Sequence, residues 1–206
     1  DATLYADDMW DSVLEAGKKH NLMVIAPAHH RRIQAGILSW GQDLDHEHNP
    51  FQCNLGYQVS LSGKGEWEKK ADYIGKDALE KMKAELADGK KPYKLQLVGF
   101  ELGGKPIDEY APDFWLVSPD DGGDPCGFIT SPWYHPEKGK NIAMGYIPFD
   151  GTLNANGFPK WELGKKFKVH LPDIYADNPG EPVDAVTVEV PFTESHNANT
   201  REVVKG

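Results

Sequence analysis

Cysteine is scarce in this chain: Cys53 and Cys126 lie far apart and form no CxxC pair. They read as two unpaired thiols in a reducing cytosol rather than a bridge, which sets a cytoplasmic expectation. Basic runs are missing as well. Lysine and arginine come at most in adjacent pairs such as Arg31-Arg32 and Lys165-Lys166, and the formal net charge is −10. A phosphate backbone needs a basic face, so nucleic acid is excluded as a partner. No apolar stretch reaches the length of a membrane span, and the start has no basic segment leading into an apolar one, so no membrane partner is expected. Phosphate-cradling glycine loops are lacking too: Gly63-x-Gly65 runs into Glu66 and Trp67 without a strand-to-helix setting. Ser131 has no surrounding motif that would activate it as a nucleophile. A metal site is not expected from the histidines. Adjacent His29 and His30 would point about 100° apart on a helix, and His46 and His48 sit in a polar loop that water would satisfy.

What is present is an ordinary globular composition, 39% apolar with 11% aromatics, enough to bury a core as one large domain or two small ones. Trp10, Val13 and Leu14 recur at helical spacing over residues 7–16, with Asp7 or Asp8 as N-cap and Gly17 as the stop. Residues 22–26, ended by Pro27, suit a short buried strand. A helical turn or two is predicted over 28–35, halted by Gly36. A clear amphipathic helix follows over 75–86, with Ala78, Leu79, Met82 and Leu86 on one face. Residues 62–70 read as a solvated excursion. After Gly89, six short strand-like runs (93–101, 114–118, 126–130, 142–148, 166–171 and 185–191) alternate with turn chemistry such as Gly103-Gly104 and Asn156-Gly157. The class is therefore α+β: an α+β segment over 1–91, then a β-rich module over 92–206 that forms a small antiparallel sandwich or barrel. The start at Asp1 reads as an edge within a longer protein.

Five motifs in order carry a resemblance. Arg32-Ile33-Gln34-Ala35-Gly36, followed by Trp40-Gly41-Gln42-Asp43-Leu44, resembles the R-L-E-A-G and Y-G-x-D segments of the glycine-cleavage T-protein family. Asp72-Tyr73-Ile74-Gly75-Lys76 is similar to its D-F-I-G-K, and Leu97-Val98-Gly99-Phe100 to its V-G strand. Gly127-Phe128-Ile129-Thr130-Ser131 and Lys140-Asn141-Ile142-Ala143-Met144 resemble its G-x-V-T-S and K-N-I-A-M pair. The resemblance runs from about Trp10 to Phe192. It implies the C-terminal part of a lobed, tetrahydrofolate-binding fold ending in a jelly-roll-like or barrel module. It also implies that N-terminal lobes, or a partner chain supplying them, carry the catalytic aspartate and the pterin-binding carboxylate, so no catalytic residue is carried over. Ala28-His29-His30 where the aminomethyltransferases have A-R-D, Gln34 for their glutamate, Trp40 for tyrosine, and the 62–70 insertion look more like the demethylase branch.

The implied function is transfer of a methyl group to tetrahydrofolate from a small methylated donor: a sulfonium, a methylamine or an aryl methyl ether. The alternatives are a non-catalytic folate-binding module, a structural subunit completing a partner chain, and a glycine-cleavage aminomethyltransferase. Arg32 reads either as the guanidinium that holds the folate glutamate carboxylate or as an ordinary salt-bridge residue. Trp40 reads as a flat face for the pterin or benzoyl ring, or as core. Asp43 reads as a brace of its turn. His29 and His30 are candidates for the methyl-donor pocket, and Tyr134, on a loop between Pro132 and Pro136, for ligand contact or lobe packing. Trp40, Trp115 and Trp133 are candidates for attracting a cationic donor.

Overall fold

The computed structural model describes residues 2–26, 28–59, 61 and 73–193; the 62–70 insertion and Asp72 of the second motif fall outside them. Helix α1 spans Ala6–Gly17 after a 3-10 turn at Ala2–Tyr5. Asp7 and Asp8 sit inside its first turn, where they favour the positive end of the helix dipole, rather than capping it. Gly17 does not stop the chain: a 3-10 turn, Lys18–His20, continues it until Asn21 adopts the left-handed conformation.

Residues 22–26 form no strand. A strand needs a neighbour to take its backbone hydrogen bonds, and no ladder is recorded for this run. Its side chains stay uncovered, with Met23 80% and Ile25 76% exposed. Helix α2, His29–Gln34, is short and buries Ile33. Helix α3, Lys76–Ala87, buries Leu86 and half-buries Leu79 and Met82 against Phe51 and Phe149.

Six strands follow: β1 (Leu95–Leu102), β2 (Trp115–Pro119), β3 (Gly127–His135), β4 (Lys140–Pro148), β5 (Lys166–Val169) and β6 (Val183–Val188). They close into one antiparallel barrel in the order β1-β4-β3-β2-β5-β6. Closure pairs every strand on both sides over part of its length. Alternation sorts the side chains: Val98, Phe100 and Leu102 point into the barrel with Ile129, Ala143 and Ile147. The opposite faces supply Leu97, Ile142, Met144 and Tyr146 to a second cluster, which receives Ile33 from α2. Helix α2 is thus packed on the outer wall of β3 and β4.

Two features of β3 position the site. Gly127 lies so close to β4 that a Cβ there would meet the Tyr146 carbonyl oxygen at 2.0 Å. Further along, the register shifts between Ile129, opposite Gly145, and Ser131, opposite Met144. This bulge makes Thr130 the extra residue and re-aims its side chain.

Residues 132–135 were expected in a loop; they are strand. Proline normally argues against a central strand, but beyond Ile129 only β4 pairs with β3. Among the described residues, no helix is long and apolar enough to cross a membrane.

Candidate functional site

The Asp43 carboxylate, with a fully buried side chain, is the centre of the site. The turn after α2 delivers it: Gly41 takes a positive φ, and the Asp43 amide donates to the Ser39 carbonyl at 2.8 Å. Its Oδ1 accepts from the Thr130 hydroxyl at 2.5 Å and the Ser131 hydroxyl at 2.6 Å. Consecutive strand residues normally face opposite ways, and the bulge is what lets both hydroxyls reach one oxygen. Oδ2 accepts from Arg32 Nη1 at 2.9 Å and from the Ser39 amide at 2.8 Å. All four acceptor positions of the carboxylate are thereby filled. The Tyr146 hydroxyl donates to the Asp43 carbonyl at 2.6 Å, and burial pushes that phenol far above its ordinary pKa. Asp43 therefore does more than brace its turn; it joins the turn to the barrel.

Arg32 is equally committed. Nη1 also donates to the Ile37 carbonyl, Nη2 to Gln42 Oε1 at 3.0 Å and Ser131 Oγ at 2.9 Å, and Nε to His29 Nδ1 at 3.3 Å. All five N–H groups have acceptors within this chain, so the guanidinium is engaged by the fold itself. Gln42 completes the network by donating to the Thr130 carbonyl at 2.7 Å and the Ala111 carbonyl at 3.2 Å.

Around this network lies an aromatic group. The His29 ring sits 4.6 Å from Tyr110 and 6.1 Å from Trp133, nearly parallel to the latter, and His30 is 6.2 Å from Trp133 on its own side of α2. Burial first, then the Arg32 charge, lowers the pKa of His29, while Asp43 opposes them. Below the unfolded value of 6.5 the unfolded chain therefore takes up a proton that the folded state resists. Wild type should lose stability relative to His29→Gln as pH falls from 6.5 through the lower folded value, with no change in the difference above it. Urea titrations of both proteins across pH check this; a difference that is flat throughout would contradict it.

The remaining candidates are placed apart. Trp40 is 62% exposed, with His46 edge-on at 4.8 Å, so it is not core. Trp115 is buried in the barrel against Tyr175 and cannot meet a donor. Tyr134 neighbours Trp133 on β3 and so faces the other way. It lines a different groove of about 700 Å³ with Glu101, Lys140, Lys168 and Asp184. No group of three or more His, Cys, Asp or Glu among the described residues is placed to hold a metal.

Sequence reasoning did not connect Gln42, Asp43, Thr130 and Ser131, nor find Tyr110. The signal lay in two of the ordered motifs, Gly41-Gln42-Asp43 and Thr130-Ser131, which were read as turn and strand pieces.

Residues 96–194 match the glycine cleavage T-protein C-terminal barrel domain. An aminomethyltransferase of Chloroherpeton thalassium is 27% identical over 93% of this chain and 44% of its own length. One from Halothermothrix orenii is 31% identical over 70% of the chain and 36% of its own. A dimethylsulfoniopropionate demethylase of Ruegeria pomeroyi is 29% identical over 80% and 38%. The aminomethyltransferase of Bartonella henselae shares the fold, with a TM-score of 0.54 at 21% identity over 79% of this chain and 37% of that one. The chain thus spans well under half the length of the relatives it matches. Its closed barrel and the five ordered motifs place the chain in the glycine-cleavage T-protein family, as a C-terminal portion.

Proposed function

We propose that this chain is the closing wall of a tetrahydrofolate-dependent methyl-transfer chamber, within a protein that demethylates a small methylated donor. One observation carries the reading. The Arg32–Asp43 network locks α2 and its turn onto β3, while apolar side chains on that turn and along the N-terminal segment are left uncovered. Met9, Trp10 and Val13 on α1 are more than half exposed, as are Val24, Ile25, Ile37 and Trp40. A rigid wall beside an uncovered apolar face suits a chamber completed by N-terminal lobes or by a partner chain.

Bound tetrahydrofolate would supply a secondary amine nitrogen as methyl acceptor, and the exposed Trp40 ring would offer the cofactor's flat rings a face to stack on. Arg32 enters as the keystone of the wall, in place of the carboxylate-gripping role the resemblance implies. The chain's remaining contribution is positioning and exclusion of water around the reacting groups.

The test is a methyl-donor panel on the full-length gene product with tetrahydrofolate present, comparing a sulfonium, a methylamine and an aryl methyl ether. Methyl transfer from at least one supports the reading; folate binding without transfer from any would make the protein a non-catalytic binding module. A second expectation concerns the uncovered face. Trp10→Glu and Ile25→Glu should change the stability of the isolated chain by no more than about 0.5 kcal/mol, because neither side chain is buried in it. In the full-length protein, losses of about 1.5–3 kcal/mol are expected from each, since those side chains are then covered. Equal effects in both contexts, measured by urea unfolding, would refute the covered face.

A further inference from the structure

The sulfonium, amine and ether donors make different demands on the atom that is left behind, and His29 meets only one of them. Arginine has no acceptor, so the contact from Arg32 Nε to His29 Nδ1 requires Nδ1 to carry a bare lone pair. The proton of the neutral ring therefore sits on Nε2. The ring packs beside Tyr110 at 4.6 Å and Trp133 at 6.1 Å, and Arg32 is itself held by Asp43, Gln42 and Ser131. Protonating Nδ1 would break the Arg32 contact, and burial and the Arg32 charge oppose it as well. His29 is consequently a fixed, neutral, single-ended N–H donor, and no partner for Nε2 is recorded among the described residues.

A sulfonium leaves as a neutral thioether and a quaternary amine as a neutral amine. Neither develops negative charge on the leaving atom for an N–H donor to stabilise. An aryl methyl ether is the opposite case. As the methyl carbon bonds to the acceptor amine nitrogen, the C–O bond breaks and its electron pair stays on oxygen. Negative charge then grows where an N–H donor stabilises it. The aryl oxygen finishes with a proton from solvent and the amine gives one up, so atoms and charge balance. Tyr110, 52% exposed beside His29, leaves aromatic surface for an aromatic ring on the donor.

Building on the methyl-transfer reading above, we propose that His29 Nε2–H is the hydrogen-bond donor to the leaving oxygen of an aryl methyl ether, with Arg32 as the residue that fixes its tautomer. Ring-substituted 4-methoxybenzoates of graded phenol acidity serve as ether probes and dimethylsulfoniopropionate as the sulfonium probe, all on the full-length gene product. His29→Phe keeps a flat ring and removes the N–H. It should lower kcat on the ethers roughly a hundredfold or more and make the rate depend more steeply on phenol acidity. His29→Gln, which restores an N–H near Nε2, should recover part of the loss.

Imidazole ¹⁵N NMR gives a readout independent of turnover. Wild type should show the Nε2–H tautomer alone, whereas Arg32→Lys, which keeps a cation for Asp43 but lacks Nε, should mix tautomers. An Nδ1–H signal in wild type, or transfer from the sulfonium but from no ether, overturns the assignment of His29 while leaving methyl transfer standing. Transfer from no donor at all removes the methyl-transfer reading, and this proposal with it.

Discussion

Asp43→Ala is expected to destabilise the chain by about 3–5 kcal/mol, the cost of breaking a buried ion pair from one side. At this chain length that is a fall in Tm of roughly 6–20 °C. The size follows from what is left behind. Arg32, with 16% of its side chain exposed, loses its carboxylate, the Thr130 and Ser131 hydroxyls lose their common acceptor, and the Ser39 amide loses its partner. Thr130 and Ser131 are fully buried, so water does not readily replace the acceptor they lose.

The pair should also show strong coupling. Replacing both partners with apolar residues, Arg32→Met with Asp43→Leu, should cost about 1–3 kcal/mol less than the two single changes summed. Urea unfolding of the four proteins in the cycle measures this. Simple additivity would mean that the network is ornamental and that α2 is held by Ile33 and its neighbours alone.

The second large effect is expected at Gly127→Ala, about 3 kcal/mol or more of lost stability. Its Cβ would land 2.0 Å from the Tyr146 carbonyl oxygen and 3.2 Å from Ile147 Cα. Those are backbone atoms of a central strand, so they cannot swing aside as a flexible side chain would. The strands must separate at the point that sets the register of the Thr130 bulge, so the Asp43 network should loosen as well. Gly103→Ala is the control. Its Cβ would meet nothing closer than 3.5 Å, and its effect should stay within about 1 kcal/mol. Equal effects at the two glycines would contradict the close β3–β4 approach.

The barrel was legible in the sequence because its strands alternate and are punctuated by glycine turns. All six appear where those runs lie, although β3 continues to His135, beyond the point where Pro132 suggested a loop. Helices α1 and α3 were readable from apolar spacing for the same reason. Residues 22–26 misled because an apolar run signals burial without naming what buries it. Here nothing among the described residues does.

The site was harder to see. Ser131 and Asp43 are 88 positions apart in sequence, and no local pattern announces that a bulge will turn Thr130 toward the same oxygen. Arg32 stood out by its motif, but its partners did not. Whether an arginine holds a ligand or holds the fold depends on which acceptors surround it, and that is set by tertiary packing. Trp40 was ambiguous on the same ground, since only the folded structure shows its ring to be exposed.

The most direct test of the central claim is a tetrahydrofolate titration of the full-length gene product, wild type against Trp40→Ala, followed by calorimetry. Saturable binding that weakens about fivefold to tenfold in the variant, the loss of roughly 1–1.4 kcal/mol of ring stacking, is the predicted result. Wild type that binds no tetrahydrofolate, or a variant that binds as tightly as wild type, would contradict it.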